Sequence, residues 1–460
     1  MMRSIFLIFF LISFCNAAES SSFIETKSDE DFIKTINNSC SESYTYSSIY
    51  PYPVSKIYSV SLSKDCKKIS KDLIKFLNSE SLKKKISVGY QSKLKSIFFQ
   101  DNSDRFYDNE NFFFNFQGYH GNKSYKFKVR KLEDEYVLDE SFFSIVKNNH
   151  AFTLGKMNHW WSNSPETSIM LSNASRPFPS GTIENIIPLN VRFLGNVNYK
   201  FLIGKLESNR AIPNTKFLGA KFIFQPNPKF SWGLSRTAQY GGDGRPENLD
   251  SFINLIIGRD NRNDSGITRE NEPGNQMASV DMNFFPRSND ELVIYTQIAG
   301  EDEAGYLPSR IIYNLGFIKS IGESRDSFIT VDFADTSSKG RPNYTYNHFL
   351  YLDGWRYLKK PIGAAIDADS DIFSISHKKI FSQNSSFKFK ILSARINKNN
   401  SDKNSWSNKA FEINSIIFDI SKRVNKNFFV RTIVNFDDKN PFTSDDSSSV
   451  NASFSFEYTF

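Results

Sequence analysis

The sequence predicts an all-β transmembrane barrel of about 18 antiparallel strands, with a small periplasmic α-helical bundle ahead of it. Three observations predict this fold. The chain opens on an export signal, most of its length alternates aromatic with polar residues, and it closes on a row of aromatics ending in Phe460. Composition agrees: 45 Phe and 20 Tyr among 460 residues make 15% aromatics, yet mean hydropathy is −0.44. A soluble core would draw mainly on Leu, Val and Ala. Aromatics interleaved with Ser, Asn and Lys suit strands that have one apolar and one polar face.

Residues 1–18 read as a signal peptide: Arg3 is basic, Ile5 to Phe14 is apolar, and Cys15 to Ala17 offers small residues for cleavage. No later run is long and apolar enough for a membrane-spanning helix. Cys40 and Cys66 remain in the exported chain as a disulfide candidate. Residues 19–85 read as a periplasmic helical unit. "SDEDFIKTI" begins with a Ser cap and acids at Ser28, Asp29, Glu30 and Asp31, which suit a helix start. "SKDCKKISKDLIKFLNSE" places Ile69, Leu73, Phe76 and Leu77 on one face, and "YPYP" at Tyr50 to Pro53 breaks the two helices apart.

From Ile86 the period becomes two, so residues 86–460 read as the barrel. Ile86, Val88, Tyr90 and Leu94 share one parity; so do Phe112, Phe114 and Phe116. Tyr125, Phe127 and Val129 oppose Lys126, Lys128 and Arg130, and Phe387, Phe389 and Ile391 oppose Lys388 and Lys390. In a membrane barrel the aromatics face lipid and the charges face a wet lumen. One insertion, near 246–258, reads as a helix: Leu249, Phe252, Ile253, Ile256 and Ile257 form a stripe that needs an apolar partner, for which the N-terminal helical unit is the natural choice. The last strand should close the barrel against the first, with Phe460 facing lipid. The row, with aromatics two and four places before Phe460, resembles the C-terminal signal of outer-membrane proteins, which implies that barrel-assembly machinery reads this end. Expected partners are therefore outer-membrane lipid and that machinery, in the outer membrane of a Gram-negative bacterium, with a monomer favoured.

The net charge of +7 is dispersed, and nothing resembles a nucleic-acid-binding stripe. "GEDEAG" puts Glu301 and Glu303 on one parity and Asp302 on the other. Paired acids can hydrolyse glycosides, but in a polar lumen they more commonly pair with cations such as Arg310. "DADSD" at Asp367 to Asp371 begins like a calcium loop, yet Ile372 and Lys378 stand where Gly and Glu are required. The five histidines have no metal-ligand spacing, and no cofactor motif occurs. The chain therefore reads as a non-enzyme without metal or cofactor. The expected lumenal polar network is Arg176, Asn275, Gln276, Glu301, Glu303, Arg310, Asp367 and Asp369. Sugar rings stack on aromatic faces, which makes Trp160, Trp161, Tyr344, Tyr346, Asn347 and Trp355 the glycan-binding candidates.

Several long motifs go beyond a generic barrel: "LSNASRP", "GRPENL" leading to "IGRDN", "EPGNQMA", "GEDEAGYLPSR" and "PNYTYNH". From about Gly155 to Asp371 these resemble the Wzi family of outer-membrane capsule-assembly proteins. The resemblance implies an 18-stranded barrel with a periplasmic helical bundle. It also implies a surface lectin that binds exported capsular or related polysaccharide and helps assemble or retain it. A diffusion porin or solute channel is the alternative that a barrel alone would allow, and a glycan hydrolase would rest on Glu301 and Glu303.

The cysteine reading is checked by mass spectrometry of the unreduced protein, where Cys40 and Cys66 should appear linked; free thiols at both positions would refute it.

Overall fold

A computed structural model describes residues 84–94, 107–257, 266–272, 274–286, 292–301, 303–304, 307–308, 310–322, 326–338, 342–382, 385–440 and 447–460. The signal peptide, the helical unit and Cys40 with Cys66 lie outside the described residues.

The chain begins with β1 (Lys84–Gln91), β2 (Asn111–His120), β3 (Lys123–Lys131), β4 (Tyr136–Val137), β5 (Phe142–Lys147) and β6 (His150–Gly155). It continues through β7 (Ser180–Asn185), β8 (Leu189–Val191), β9 (Gly195–Lys205), β10 (Lys216–Asn227) and β11 (Phe230–Tyr240). Helix α1 (Leu249–Ile257) precedes β12 (Gly274–Phe284), β13 (Leu292–Glu301), β14 (Glu303–Ala304), β15 (Leu307–Pro308), β16 (Ile311–Ile321) and β17 (Ser327–Asp335). After β18 (Arg356–Tyr357) and β19 (Lys360–Pro361) come β20 (Asp371–Ser382), β21 (Ser385–Ile396), β22 (Phe411–Arg423), β23 (Phe428–Asp437) and β24 (Ser449–Thr459). Two small hairpins, β14–β15 and β18–β19, stand apart from the 20-stranded sheet. Within that sheet β4 and β8 are short pieces beside longer strands, so 18 strands make the wall.

The sheet closes on itself. β24 pairs antiparallel with β1, with Ser87 opposite Thr459 and Tyr90 opposite Phe456. Phe460 N donates to Ile86 O at 2.9 Å, and Ser92 N donates to Phe454 O at 2.9 Å. Closure leaves no open edge, which an exposed backbone in hydrocarbon would not tolerate. Among the described residues no helix is long and apolar enough to cross a membrane, so strands do the crossing.

Side chains sort by parity as the sequence pattern requires. On β24, Phe454, Phe456, Tyr458 and Phe460 are exposed on the outer wall while Ser453 is buried inside. On β21, Ile391 is exposed and Lys388 and Lys390 are buried. Leu94 departs from the expected row: the strand stops at Gln91, and Leu94 turns into the interior apolar cluster.

Lys84 and Phe460 share one rim, where neighbouring strands are joined by short turns such as the one between Asn227 and Phe230. The long connections gather at the other rim. Outer-membrane barrels keep short turns in the periplasm and long loops outside, which orients the molecule.

Helix α1 lies at the long-loop rim, on the outside of the wall. Leu255 packs against Ala238, Tyr240 and Leu218, all of outward parity, and Ser251 Oγ meets Tyr240 Oη at 2.9 Å. Asn248 Oδ1 accepts from Ser251 N at 2.8 Å, an N-cap that starts the helix. The helical unit expected to pair with it lies outside the described residues. The Leu249, Phe252, Ile253, Ile256 and Ile257 stripe of α1 is exposed, and the buried side is Ser251 and Leu255. In a membrane protein an apolar stripe is satisfied by lipid as well as by protein.

Depth dependence tests the outward assignment. Ile375→Arg, on the outer face in the middle of β20, should cost about 2–4 kcal/mol, and Val450→Arg near the loop rim about 0–1 kcal/mol, measured by denaturant unfolding in lipid. Equal costs at the two sites would refute it.

Candidate functional site

Two segments leave the wall and fold into the lumen: 156–179, between β6 and β7, and the described residues 336–338 and 342–370, between β17 and β20. Neither alternates, so neither can extend a strand of the wall. Trp161, Ile169, Met170 and Leu171 of the first pack with Tyr346, Trp355, Ile362 and Ala364 of the second, against lumenal Leu202, Phe217, Ala299 and Ile312. Backbone bonds join the segments: Ser172 N donates to Ile362 O at 2.8 Å. Tyr346 Oη donates to Ile169 O at 2.7 Å and accepts from Ala364 N at 3.0 Å. Gly354 permits the tight crossing, since at φ 65° its missing Cβ would stand 2.1 Å from Tyr346 O.

Polar groups anchor this plug to the wall. Lys221 donates to Asp281 within the wall at 2.7 Å and to Trp161 O of the plug at 3.4 Å. Gln297 donates to Asp281 at 2.6 Å and to Trp161 O at 2.7 Å, and accepts from Ile169 N at 3.0 Å. Ser164 and Tyr295 donate to Asp332 at 2.6 and 2.8 Å. Glu166 reaches deepest, 2.7 Å from Lys388, 2.9 Å from Lys390 and 2.8 Å from Ser376 Oγ. A buried ion is costly unless paired, so the pairs that Glu166 makes with the wall lysines fix the plug where it stands. The void left beside Trp160, Glu166 and Lys390 is about 10 Å³, room for about one water.

Burial sets the protonation of groups in the plug. It pushes the Tyr346 and Tyr351 hydroxyls far up and Tyr357 to about 12, so all three stay donors at neutral pH. Burial, then the nearby Lys200 charge, pushes the His159 imidazole well below its ordinary value. His159 is therefore neutral, with Nε2 3.1 Å from Ser180 Oγ.

The structure separates the six glycan-binding candidates. Trp160, Trp161, Tyr346 and Trp355 are at most 3% exposed and form the plug core, with no free ring face. Asn347 is buried and its Oδ1 accepts from Arg356 at 3.0 Å. Tyr344 is half-buried, with the Arg310 guanidinium 3.4 Å from its ring centroid.

Most of the expected polar network is inward but not one cluster. Glu301 is buried and both its oxygens accept from Tyr346 N, at 3.0 and 2.9 Å. Asp367 holds Arg356 at 2.7 and 2.9 Å, and Asp369 accepts from Asn343 N. Asn275 donates to Gln239 at 3.2 Å. Arg176 sits apart with Asp139 and Glu135, at 2.7 and 2.6 Å. Of Glu303 only the backbone is described, paired with Pro308. Gln276 is a correction: it shares the outward parity of Val280, Met282 and Phe284, one step from lumenal Asn275. Sequence reading missed Glu166, Lys221, Asp281, Gln297 and Asp332 as anchors. Their signal was inward parity on a lipid-facing strand, except Glu166, which had none.

Known proteins bear on this arrangement. The sequence profile of the family described as capsule assembly protein Wzi matches residues 86–452. A Klebsiella pneumoniae protein described as an uncharacterized 55.8 kDa protein in cps region is 29% identical over 272 residues, 57% of this chain. The chain spans about half of that relative, 52% of its length. Among solved structures, the fold is similar to Wzi, described as an outer membrane protein involved in group 1 capsule assembly in Escherichia coli and a carbohydrate-binding β-barrel. The TM-score is 0.80 at 20% identity, covering 96% of this chain and 100% of that one. Pseudomonas aeruginosa OpdQ gives a TM-score of 0.44 at 12% identity, covering 83% and 99%.

Replacing Glu166 with Ala strands Lys388 and Lys390 in the lumen. The expected cost is about 3–5 kcal/mol by denaturant unfolding; a loss under about 1 kcal/mol, the scale of an exposed pair, would show that the plug is not anchored there.

Proposed function

The chain belongs to the family of the capsule assembly protein Wzi, and from that premise we propose that it is a surface lectin that binds exported capsular or related polysaccharide. The barrel sits in the outer membrane and serves as a mount. One observation carries the reading: the lumen is filled by the chain's own long-loop segments. A filled lumen argues against a conduit and leaves the outer surface of the plug as the working face.

Beneath that face the buried Asp367–Asp369 turn gathers two aromatics. Asp369 holds the backbone next to Tyr344, through Asn343 N. Asp367 accepts from Ser405 N at 2.7 Å, beside Trp406. Trp406 is partly buried, with Lys360 Nζ 4.0 Å from its ring centroid. Partly open rings set among amide and ammonium donors suit the stacking and hydroxyl bonding that sugars require. Tyr344 and Trp406 are the proposed glycan contacts. Binding proceeds without catalysis, because Glu301 is committed to a backbone amide rather than aimed at a bond between sugars. Phe460 is proposed as the end read by barrel-assembly machinery, and the working unit as a monomer.

Deletion of the protein should move polysaccharide from the cell-bound to the shed fraction, and Trp406→Ala should do the same while the barrel still assembles. An unchanged ratio in the deletion would sink the retention role.

A further inference from the structure

The outer wall carries a second candidate site, independent of any polysaccharide. On β7, Gly181 has outward parity and stands between Leu154 of β6 and Ile203 of β9 in register. A Cβ at Gly181 would lie 3.0 Å from Leu154 Cδ2 and 3.7 Å from Ile203 Cγ2. The missing side chain leaves a furrow whose flanks are unusually bare: Leu154 is 68% and Ile203 58% exposed. With Leu138 they line an open hollow of about 560 Å³.

Above the furrow, at the long-loop rim, Lys156, Lys205 and Lys216 border the same hollow. Lys205 and Lys216 are direct cross-strand partners, and like charges placed opposite repel. Lys205 N also donates to Pro179 O at 3.0 Å, and Lys156 N donates to Ser141 O at 2.8 Å, which keeps the three at one level. Two carboxylates answer part of this charge: Asp139 lies 3.9 Å from Lys156, and Glu247 accepts from Lys216. Lys205 is exposed between strand and loop.

The occupant follows from position. Below the hollow, Phe152 and Phe201 continue the exposed outward face, so the furrow opens onto the lipid-facing belt. Beside it, α1 packs on Leu218 and adds its exposed apolar stripe to the same surface. Apolar below and basic above is the polarity of an outer-leaflet amphiphile standing along the membrane normal. Three ammonium groups favour a phosphorylated headgroup over a zwitterionic one. We propose that this furrow binds the phosphorylated, acylated glycolipid of the outer leaflet, with an acyl chain along Gly181 and a phosphate on Lys156, Lys205 and Lys216.

The test is native mass spectrometry of the purified full-length barrel after delipidation, titrated with bisphosphorylated lipid A, dephosphorylated lipid A or phosphatidylethanolamine. One bisphosphorylated lipid A should be retained in preference to the other two. Lys205→Gln should weaken retention about tenfold, the scale of one charge-assisted hydrogen bond. Gly181→Leu, which fills the furrow from the outer side, should weaken it with all lysines intact. Heat-modifiable gel mobility checks that both variants are folded. Equal retention of the three lipids, or no change in a folded variant, would overturn the proposal and leave only an ordinary lipid annulus. Glycan binding by either variant is expected to be unchanged, which keeps this result separate from the lectin reading.

Discussion

Everything in this molecule depends on one constraint: within hydrocarbon, each backbone N–H and C=O must find its partner in the protein. The pairing of β24 with β1 meets it for the first and last strands, which would otherwise expose two edges. Once the ladder is closed, strand geometry decides the rest. Successive side chains point to opposite faces, so a wall between lipid and lumen must alternate. That is why 45 Phe can coexist with a negative mean hydropathy. Half of each strand is written for lipid and half for a polar interior.

The polar interior then poses a second problem, which the plug resolves. Lys221, Lys388 and Lys390 are buried inside the wall, and each is matched by a carboxylate, from the wall for Lys221 and from the plug for the other two. Apolar plug residues meanwhile cover one another around Trp161, Tyr346 and Trp355. The interior resembles a small globular core with ionic staples to its container. Such a core is rigid for two separate reasons, packing density and the penalty for separating buried charges.

How much of this was legible depends on the physics that wrote each part. The wall was legible down to Phe460, because parity is a local signal that lipid enforces. The plug was not, because folding inside a cavity leaves no period. Its Trp160, Trp161 and Trp355 looked like exposed platforms for sugars, when their real neighbours came from segments far along the chain. The α1 stripe was visible but its direction was not: hydrophobic spacing says which side is apolar, and only the fold says whether protein or lipid covers it. Gln276 shows the price of a single step, since parity reverses with each residue. Trp406 carries no signal in the sequence, because one isolated aromatic makes no pattern.

The plug also has a consequence in time. Ser164 bonds Asp332, 168 residues later, and Glu166 bonds Ser376 and Lys388, 210 and 222 residues later. Contacts of such sequence separation demand large loop closures and form slowly. The 156–179 segment must wait for strands that are made long after it. Until they arrive, its aromatics and Glu166 have no home, and the nascent barrel must close around them. Maturation of the interior is therefore tied to the C-terminal half of the chain, and a late truncation would leave the early segment without the staples that hold it.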